Sequence, residues 1–363
     1  MIRPDIAPEM VAGPMSGDVS EGGNVSEGGN VSEGGDVSDD ITGSKPHITI
    51  AVMTCDRADV LKRAIESLVH QATDDQFTFD VLVVDNGSTD HTADVVAGCD
   101  VGDASDVTRV VEPTRGIPFV RNRAVAGIRG DWLAFFDDDQ IAGPRWLLTL
   151  FETARNHQAD FVGGSRSLRI EVDDPPPLCP ESRMLLGEML NADSQNYHRR
   201  FLPSTGNVLI RREVFDRVGT FDPTVLDGGE DSDFFNRVIN ASAVGVYNPD
   251  ARVEHLIPAG RLGADYLRWI AFRHGIHLAR RDIRHRGKWA AAINGVLRCG
   301  RAAGWHWPKK LWAKFRGDAA MTVGCDCRLS KTSGFVHFVN SQLVPIPYFA
   351  DRLRERSMHR GAR

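Results

Sequence analysis

Between residues 46 and 140 the apolar positions alternate between two periods. His47 to Met53 is a β-branched apolar run of strand length, after which Leu61, Ala64, Ile65, Leu68 and Val69 recur at helical spacing. Thr54 or Asp56 is available to cap that helix. Val81 to Val84 reads as a second buried strand ending at Asp85, Asn86-Gly87-Ser88 as a turn, and Thr92 to Val96 as the start of another helix. Thr108 to Val111 predicts a third strand and Pro118 to Ile128 a helix. Trp132 to Phe136 predicts a fourth strand, which runs into Asp137-Asp138-Asp139. Continuous apolar strands alternating with amphipathic helices predict an α/β fold, a mostly parallel sheet with crossover helices on both faces. Such sheets bind ligands beyond the carboxyl ends of their strands, and Asp56, Asp85 and Asp137 to Asp139 all stand there.

The flanks break this pattern. Before Lys45 the unit VSEGGN repeats from Val19, Val25 and, as VSEGGD, from Val31, with Arg3 the only basic residue. One Val per unit cannot build a core, so residues 1–45 are expected to be a disordered acidic tail. Residues 46–260 form the α/β domain, and residues 261–363 a basic, aromatic-rich, mainly helical extension. From Arg252 onward Lys and Arg outnumber Asp and Glu by roughly three to one, which the overall net charge of -6 conceals. Tyr266, Trp269, Phe272, Trp289, Trp305, Trp307, Trp312 and Phe315 interleave with these cations. Such a segment suits an anionic membrane surface or a helical cap on the α/β domain, and suits nucleic acid less well. The six scattered cysteines do not make a disulfide framework. Without a signal sequence or an apolar run near the roughly 20 residues a membrane span needs, the expected location is cytoplasmic, peripheral on the inner face of the membrane.

Three adjacent carboxylates after a buried strand call for a cation. Mg²⁺ or Mn²⁺ on Asp137, Asp138 or Asp139 would also hold a diphosphate; the plainer alternative is an acidic turn capping a helix near Pro144. Asp85 could accept hydrogen bonds from a base or ribose, or merely form an Asx-turn. Glu230, Asp231 and Asp233 follow Gly228-Gly229 and open a helical pattern at Phe234 and Phe235. Acids suit a first helical turn, but a carboxylate here could also serve as a general base. Asn207, after Gly206, could bind a sugar hydroxyl or simply sit in a turn. His255 stands at a strand end near the suspected metal. Arg115, Arg121 and Arg261 are candidates for diphosphate contacts, or else solvated charges.

Six segments in order, ITIAVMTCDRADVLKRAIESL, VLVVDNGSTD, GIPFVRNRAV, GDWLAFFDDDQ, GNVLIRREVFDRVGTFD and GGEDSDFF, resemble the family 2 glycosyltransferases of GT-A fold. GIPFVRNRAV and the His255–Arg261 stretch are most similar to the bacterial exopolysaccharide branch. The resemblance implies an inverting hexosyl- or N-acetylhexosaminyl-transferase using a nucleotide sugar, commonly a UDP-sugar, and Mn²⁺ or Mg²⁺. The acceptor it implies is a glycan or lipid-linked hydroxyl. It assigns Asp85 to the base and ribose, Thr54 and Asp56 to the donor, and Asp139 to the metal, with Asp137 at the ribose or the ion's hydration shell. Asp231, beside Glu230, becomes the catalytic base, His255 a further metal ligand or donor contact, and Arg261 part of a mobile loop over the diphosphate. Cys55-Asp56 departs from the Tyr-Asn pair common at that corner. A nucleotidyltransferase or a catalytically silent sugar-nucleotide module are the alternatives. The former would carry a glycine-rich loop after the first strand, which TCDRADV lacks; the latter would lack the base.

Overall fold

The computed structural model describes residues 45–226 and 228–343. The predicted tail before Lys45 and the last twenty positions of the basic extension lie outside the described residues. Strand β1 (His47–Thr54), helix α1 (Ala58–Leu68), β2 (Thr78–Asp85), α2 (Thr92–Ala97), β3 (Val107–Val111), α3 (Ile117–Ala126) and β4 (Trp132–Asp137) follow the predicted alternation. After them come β5 (Gln140–Ala142), α4 (Trp146–Asn156), β6 (Phe161–Ile170), α5 (Pro180–Leu185), β7 (Gln195–Asn196), β8 (Asn207–Arg211), α6 (Arg212–Val218), α7 (Glu230–Asn240) and β9 (Gly245–Ile257).

The sheet runs β3-β2-β1-β4-β8-β6-β9-β5, with β7 also paired to β9. Parallel pairing joins β1 to β4, whereas β8 enters antiparallel to both β4 and β6. The sheet is therefore mixed, and the parallel expectation describes its amino-terminal half. The residues of β1 divide between two cores. Ile48, Ile50 and Val52 pack with α1 and α4 on one face, and Ala51 and Met53 with α3 and α7 on the other. That two-sided burial is why these strands read as unbroken apolar runs.

Strand register places the site. Thr54 pairs with Asp85 and Met53 with Asp137, so β1, β2 and β4 end together, at the point where the strand order turns outward in both directions from β1. On β4, Phe136 pairs with Asn207 of β8; on β9, His255 pairs with Gln140. A register shift between Gly164 and Arg166 lets β6 follow β9 past an irregular stretch.

Beyond β9 a short 3₁₀ turn, Ala259–Arg261, leads into α8 (Ala264–Arg286), α9 (Lys288–Arg301), a π-helical segment Ala302–His306, α10 (Trp307–Phe315) and α11 (Ala319–Leu343). Leu267 and Ala271 of α8 and Cys327 of α11 pack with Leu185, Leu186 and Ile257, which fixes the helical region to the sheet domain. Phe335 and Val339 close a second small core with Ala279 and Ala291. All six cysteines are free thiols.

Candidate active site

The end of β4 is built from its neighbours inward. Thr54 is buried, and its hydroxyl donates to Asp138 Oδ2 at 2.8 Å. Arg57, just before α1, spans two acids: one nitrogen meets Asp138 Oδ1 and the other donates to Asp139 Oδ2 at 2.9 Å. Asp139 Oδ2 also receives Arg261 at 3.0 Å and lies 3.2 Å from His255 Nε2. Burial alone would raise the Asp139 pKa, but His255, Arg57 and Arg261 together hold it well below the ordinary carboxylate range. Asp138 has fewer such partners. Burial, only partly opposed by Arg57, leaves its carboxyl pushed up to about 7.

Asp137 is oriented differently. Its Oδ2 accepts from Gln140 Nε2 at 3.1 Å and lies 3.9 Å from Arg166. Its pKa is raised by poor solvation and then by the Asp139 charge, in a corner where its side chain is still 36% exposed. Gly206 makes this corner possible, because a Cβ there would overlap the Asp137 carboxylate. Arg121 and His255 both lower the Asp137 pKa from nearby, and Arg121 belongs to the ion pair that anchors α7.

Among the described residues no three His, Cys, Asp or Glu side chains make a ready metal cage. A two-ligand site fits better. His255 Nδ1 lies 2.8 Å from the Leu186 carbonyl, which can only accept, so Nδ1 carries the proton. His255 Nε2 and Asp139 Oδ2 thus face each other, and Arg261 sits against both, 3.3 Å from Nε2 and 3.0 Å from the carboxylate oxygen. An imidazole oriented through its other nitrogen by a backbone carbonyl is also the usual setting of a metal-ligating histidine. A small divalent ion held by one or two side chains and completed by phosphate oxygens suits such a pair.

The corner at the ends of β1 and β2 is occupied by the chain's own groups. Buried Asp85 accepts from the Ser88 amide at 2.7 Å, the Ser88 hydroxyl at 2.6 Å and Arg109 Nε at 2.9 Å. These outweigh burial and hold its pKa low. Asp56 does not cap α1. It sits at φ 52°, in the left-handed region, with its carboxylate accepting from the Thr89 amide at 2.6 Å. Arg115 contacts Cys55 and donates to the Gly87 carbonyl at 2.9 Å, so Cys55 shares this corner with a guanidinium.

Helix α7 starts after Gly228 and Gly229, whose φ values of 93° and 94° favour glycine. Its first residue, Glu230, is buried against Arg121, so neither serves as a free site group; Arg121 also lies over Phe221, 5.4 Å from the ring centroid. Asp231 follows, half-buried. Its Oδ1 accepts from the Ser232 amide at 2.7 Å, and its Oδ2 has no hydrogen bond among the described residues. Asn207 is also withdrawn from any substrate. Its side chain accepts from Trp146 Nε1 at 2.8 Å and donates to the Ser165 and Ala251 carbonyls at 2.9 Å, stitching β8 to the irregular part of β6 and β9. Sequence patterning did not single out Arg57, Arg109 or Arg166. The one local signal was an arginine directly after the β1 turn.

Residues 49–219 match the model of glycosyl transferase family 2. The succinoglycan biosynthesis protein ExoM of Rhizobium meliloti is 29% identical over 69% of this chain and 81% of its own length. A glucosyl-dolichyl phosphate glucuronosyltransferase of Haloferax volcanii is 25% identical over 63% of this chain and 74% of its own. Among solved structures, a mannosyltransferase from Pyrobaculum calidifontis superposes with a TM-score of 0.54 at 18% identity, covering 81% of this chain and 88% of the other. That likeness fixes the fold as GT-A.

Proposed function

From a chain that belongs to the family 2 glycosyltransferases, we propose an inverting transfer of a sugar from a nucleotide diphosphate donor, a UDP-sugar, to a hydroxyl of a glycan or lipid-linked acceptor. The observation that carries the reading is the convergence of Asp139, His255, Arg57 and Arg261 at the carboxyl edge of the sheet. The Pyrobaculum mannosyltransferase was solved with GDP-Man and Mn2+, which supports a nucleotide sugar and a divalent ion here. UDP rests on the family resemblance and on Asp85 at the end of β2. The name of ExoM supports a role in exopolysaccharide synthesis. A nucleotidyltransferase has no support in the family match.

Asp139 and His255 would hold the ion, which when bound neutralises charge on the diphosphate. Arg57 and Arg261 can turn from Asp139 to the phosphate oxygens and stabilise the charge that develops there as the nucleotide leaves. Asp231 Oδ2 takes the proton from the acceptor hydroxyl as that oxygen attacks the anomeric carbon from the opposite side, which inverts it. Thr54 and Asp138 fix Arg57 from below. Glu230, held by Arg121, sets the first turn of α7 and so the reach of Asp231.

The basic extension supports a place on the inner face of the membrane. Trp289, Ile293 and Val296 of α9 are 76%, 65% and 71% exposed, and Trp312 and Phe315 of α10 are 51% and 90% exposed, among Lys288, Lys309, Lys314 and Arg316. That is the composition of helices that lie in an anionic interface. No described helix is long and apolar enough to cross a membrane.

The test is thermal stabilisation by a panel of nucleotide sugars with Mn²⁺ or Mg²⁺, with and without EDTA, followed by turnover of Asp231→Asn. A ligand that binds only the folded state raises its apparent stability. We expect an EDTA-sensitive shift with one donor, kept in Asp231→Asn while turnover falls about 10³-fold. Wild-type turnover in Asp231→Asn would remove it as the base, and a folded protein that no donor shifts would leave the silent module.

A further inference from the structure

A cleft of about 570 Å³ opens between α7, the carboxyl-terminal end of α8 and the loop from β7 to β8. The loop contributes Arg199 and Arg200, α7 contributes Ser232 and Asn236, and α8 contributes Arg281 and His285. No Asp or Glu lines it, and no aromatic ring other than His285. Ser232 follows Asp231 directly, and the loop leads on to Gly206 against Asp137. The cleft thus begins next to the residue assigned as base, on the side of α7 turned away from the sheet.

Its cations lack acidic partners among the described residues. Close by, Arg237 and Arg284 share Asp233, at 3.3 and 3.1 Å, and Arg286 lies 3.7 Å from Asp282. Arg199, Arg200 and Arg281 are exposed and have no carboxylate partner among the described residues. Three guanidinium groups facing one concavity repel each other unless an anion is shared between them. Their forked donors match phosphate oxygens two at a time. Nucleic acid fits less well, because single strands are gripped by aromatic platforms that this cleft lacks.

We propose that this cleft binds the phosphate or diphosphate ester of the acceptor, placing the acceptor's sugar hydroxyl at Asp231. The assignment rests on the transferase reading for what is attached to the phosphate, and not for the anion itself. Arg199, Arg200 and Arg281 hold the phosphoryl oxygens, and the Ser232 hydroxyl faces the same space. The transferred sugar then comes from the sheet edge and the acceptor from the α7–α8 side, with the base between them.

The experiment uses the full chain, with farnesyl diphosphate in nonionic detergent, inorganic diphosphate, farnesol and a single-stranded DNA 12-mer as probes. Each is titrated against wild type, Arg200→Ala/Arg281→Ala, the surface control Arg123→Ala/Arg212→Ala, and Arg261→Ala. Losing a charged hydrogen-bond partner costs about tenfold or more in affinity, so the cleft double variant should bind both diphosphates about 100-fold more weakly. The control pair and Arg261→Ala should bind them as wild type does, and farnesol should not bind. Equal affinity for the two diphosphates would mean that the group alone is recognised; tighter binding of the ester would mean that the lipid-linked form is. Undiminished diphosphate binding by the cleft variant overturns the proposal. So does DNA binding that is tighter than diphosphate binding and lost with the same arginines. Loss of diphosphate binding in Arg261→Ala but not in the cleft variant would assign it to the donor site and overturn it too. Donor-induced thermal stabilisation of the cleft variant shows that it is folded and reports on the transferase reading separately.

Discussion

Replacing Arg121 with Met should unfold the protein more easily before it harms chemistry. Arg121 of α3 and Glu230 of α7 are 7% and 4% exposed and joined through one nitrogen and one oxygen. Their pairing is incomplete, since Arg121 Nε and Glu230 Oε2 are buried without a partner. A pair satisfied on one side only adds little over an apolar replacement, yet removing one member leaves a charge stranded in the core, at a cost of about 3–5 kcal/mol. Of a typical stability of about 5–15 kcal/mol, that is a large share. Arg121→Met and Glu230→Leu should therefore each lower the urea midpoint strongly at unchanged slope. The double variant should recover to within about 1 kcal/mol of wild type. Asp231 is the next residue after Glu230, so turnover of Arg121→Met at low temperature should fall while KM for the donor holds. A variant as stable as wild type that no longer binds the donor would refute this reasoning and restore Arg121 as a diphosphate ligand.

Asn207→Leu strands the Trp146 indole N–H and two backbone carbonyls, each about 1–3 kcal/mol when unsatisfied. Chemical denaturation should show a loss of about 3 kcal/mol or more, with acceptor KM unchanged; a stable variant with a raised acceptor KM would return Asn207 to the substrate. His255→Ala should raise the Mn²⁺ concentration for half-maximal donor-induced stabilisation by about tenfold or more, and an unmoved midpoint would exclude His255 as a ligand. Trp312→Glu/Phe315→Glu removes two exposed aromatics worth about 1.5–3 kcal/mol each when buried. Sedimentation with phosphatidylglycerol vesicles should then be lost, and retained sedimentation would mean that α10 is not the contact.

The parallel half of the fold was legible because each of its strands is buried on both faces, so the apolar run itself is the signal. Its carboxylates were legible for the related reason that nothing apolar can follow such a strand at the ligand edge. The antiparallel entry of β8 was not, because VLIR is four residues that would pair either way. Polar partners were the harder loss. Arg57, Arg109 and Arg166 meet Asp138 and Asp139, Asp85, and Asp137 across sequence gaps that only the sheet order closes. The same blindness put Asn207 and Arg121 in the site, since a polar side chain satisfied by distant backbone or by a buried acid has the same local sequence as one waiting for a ligand.

Those arginines change what a metal is for. The strand ends seemed to demand a cation on charge alone, yet Asp137, Asp138 and Asp139 already face Arg166, Arg57 and Arg261, and Asp138 is half way to neutral near pH 7. Three carboxylates against three guanidinium groups leave little net field to draw in a divalent ion by itself. A bare diphosphate fares no better, because each arginine it recruits must leave an aspartate buried and unpaired. Arriving together they would solve both problems, since an ion held by Asp139 and His255 would replace Arg261 there and leave its guanidinium for the phosphates. Ion and donor should therefore bind with mutual cooperativity, each tightening the other by the same factor, of the order of 5–150-fold. Calorimetric titrations of Mn²⁺ with and without donor, and of donor with and without Mn²⁺, measure that factor twice. If the two agree at unity, the arginines are not exchanged and the aspartates hold the ion by other means.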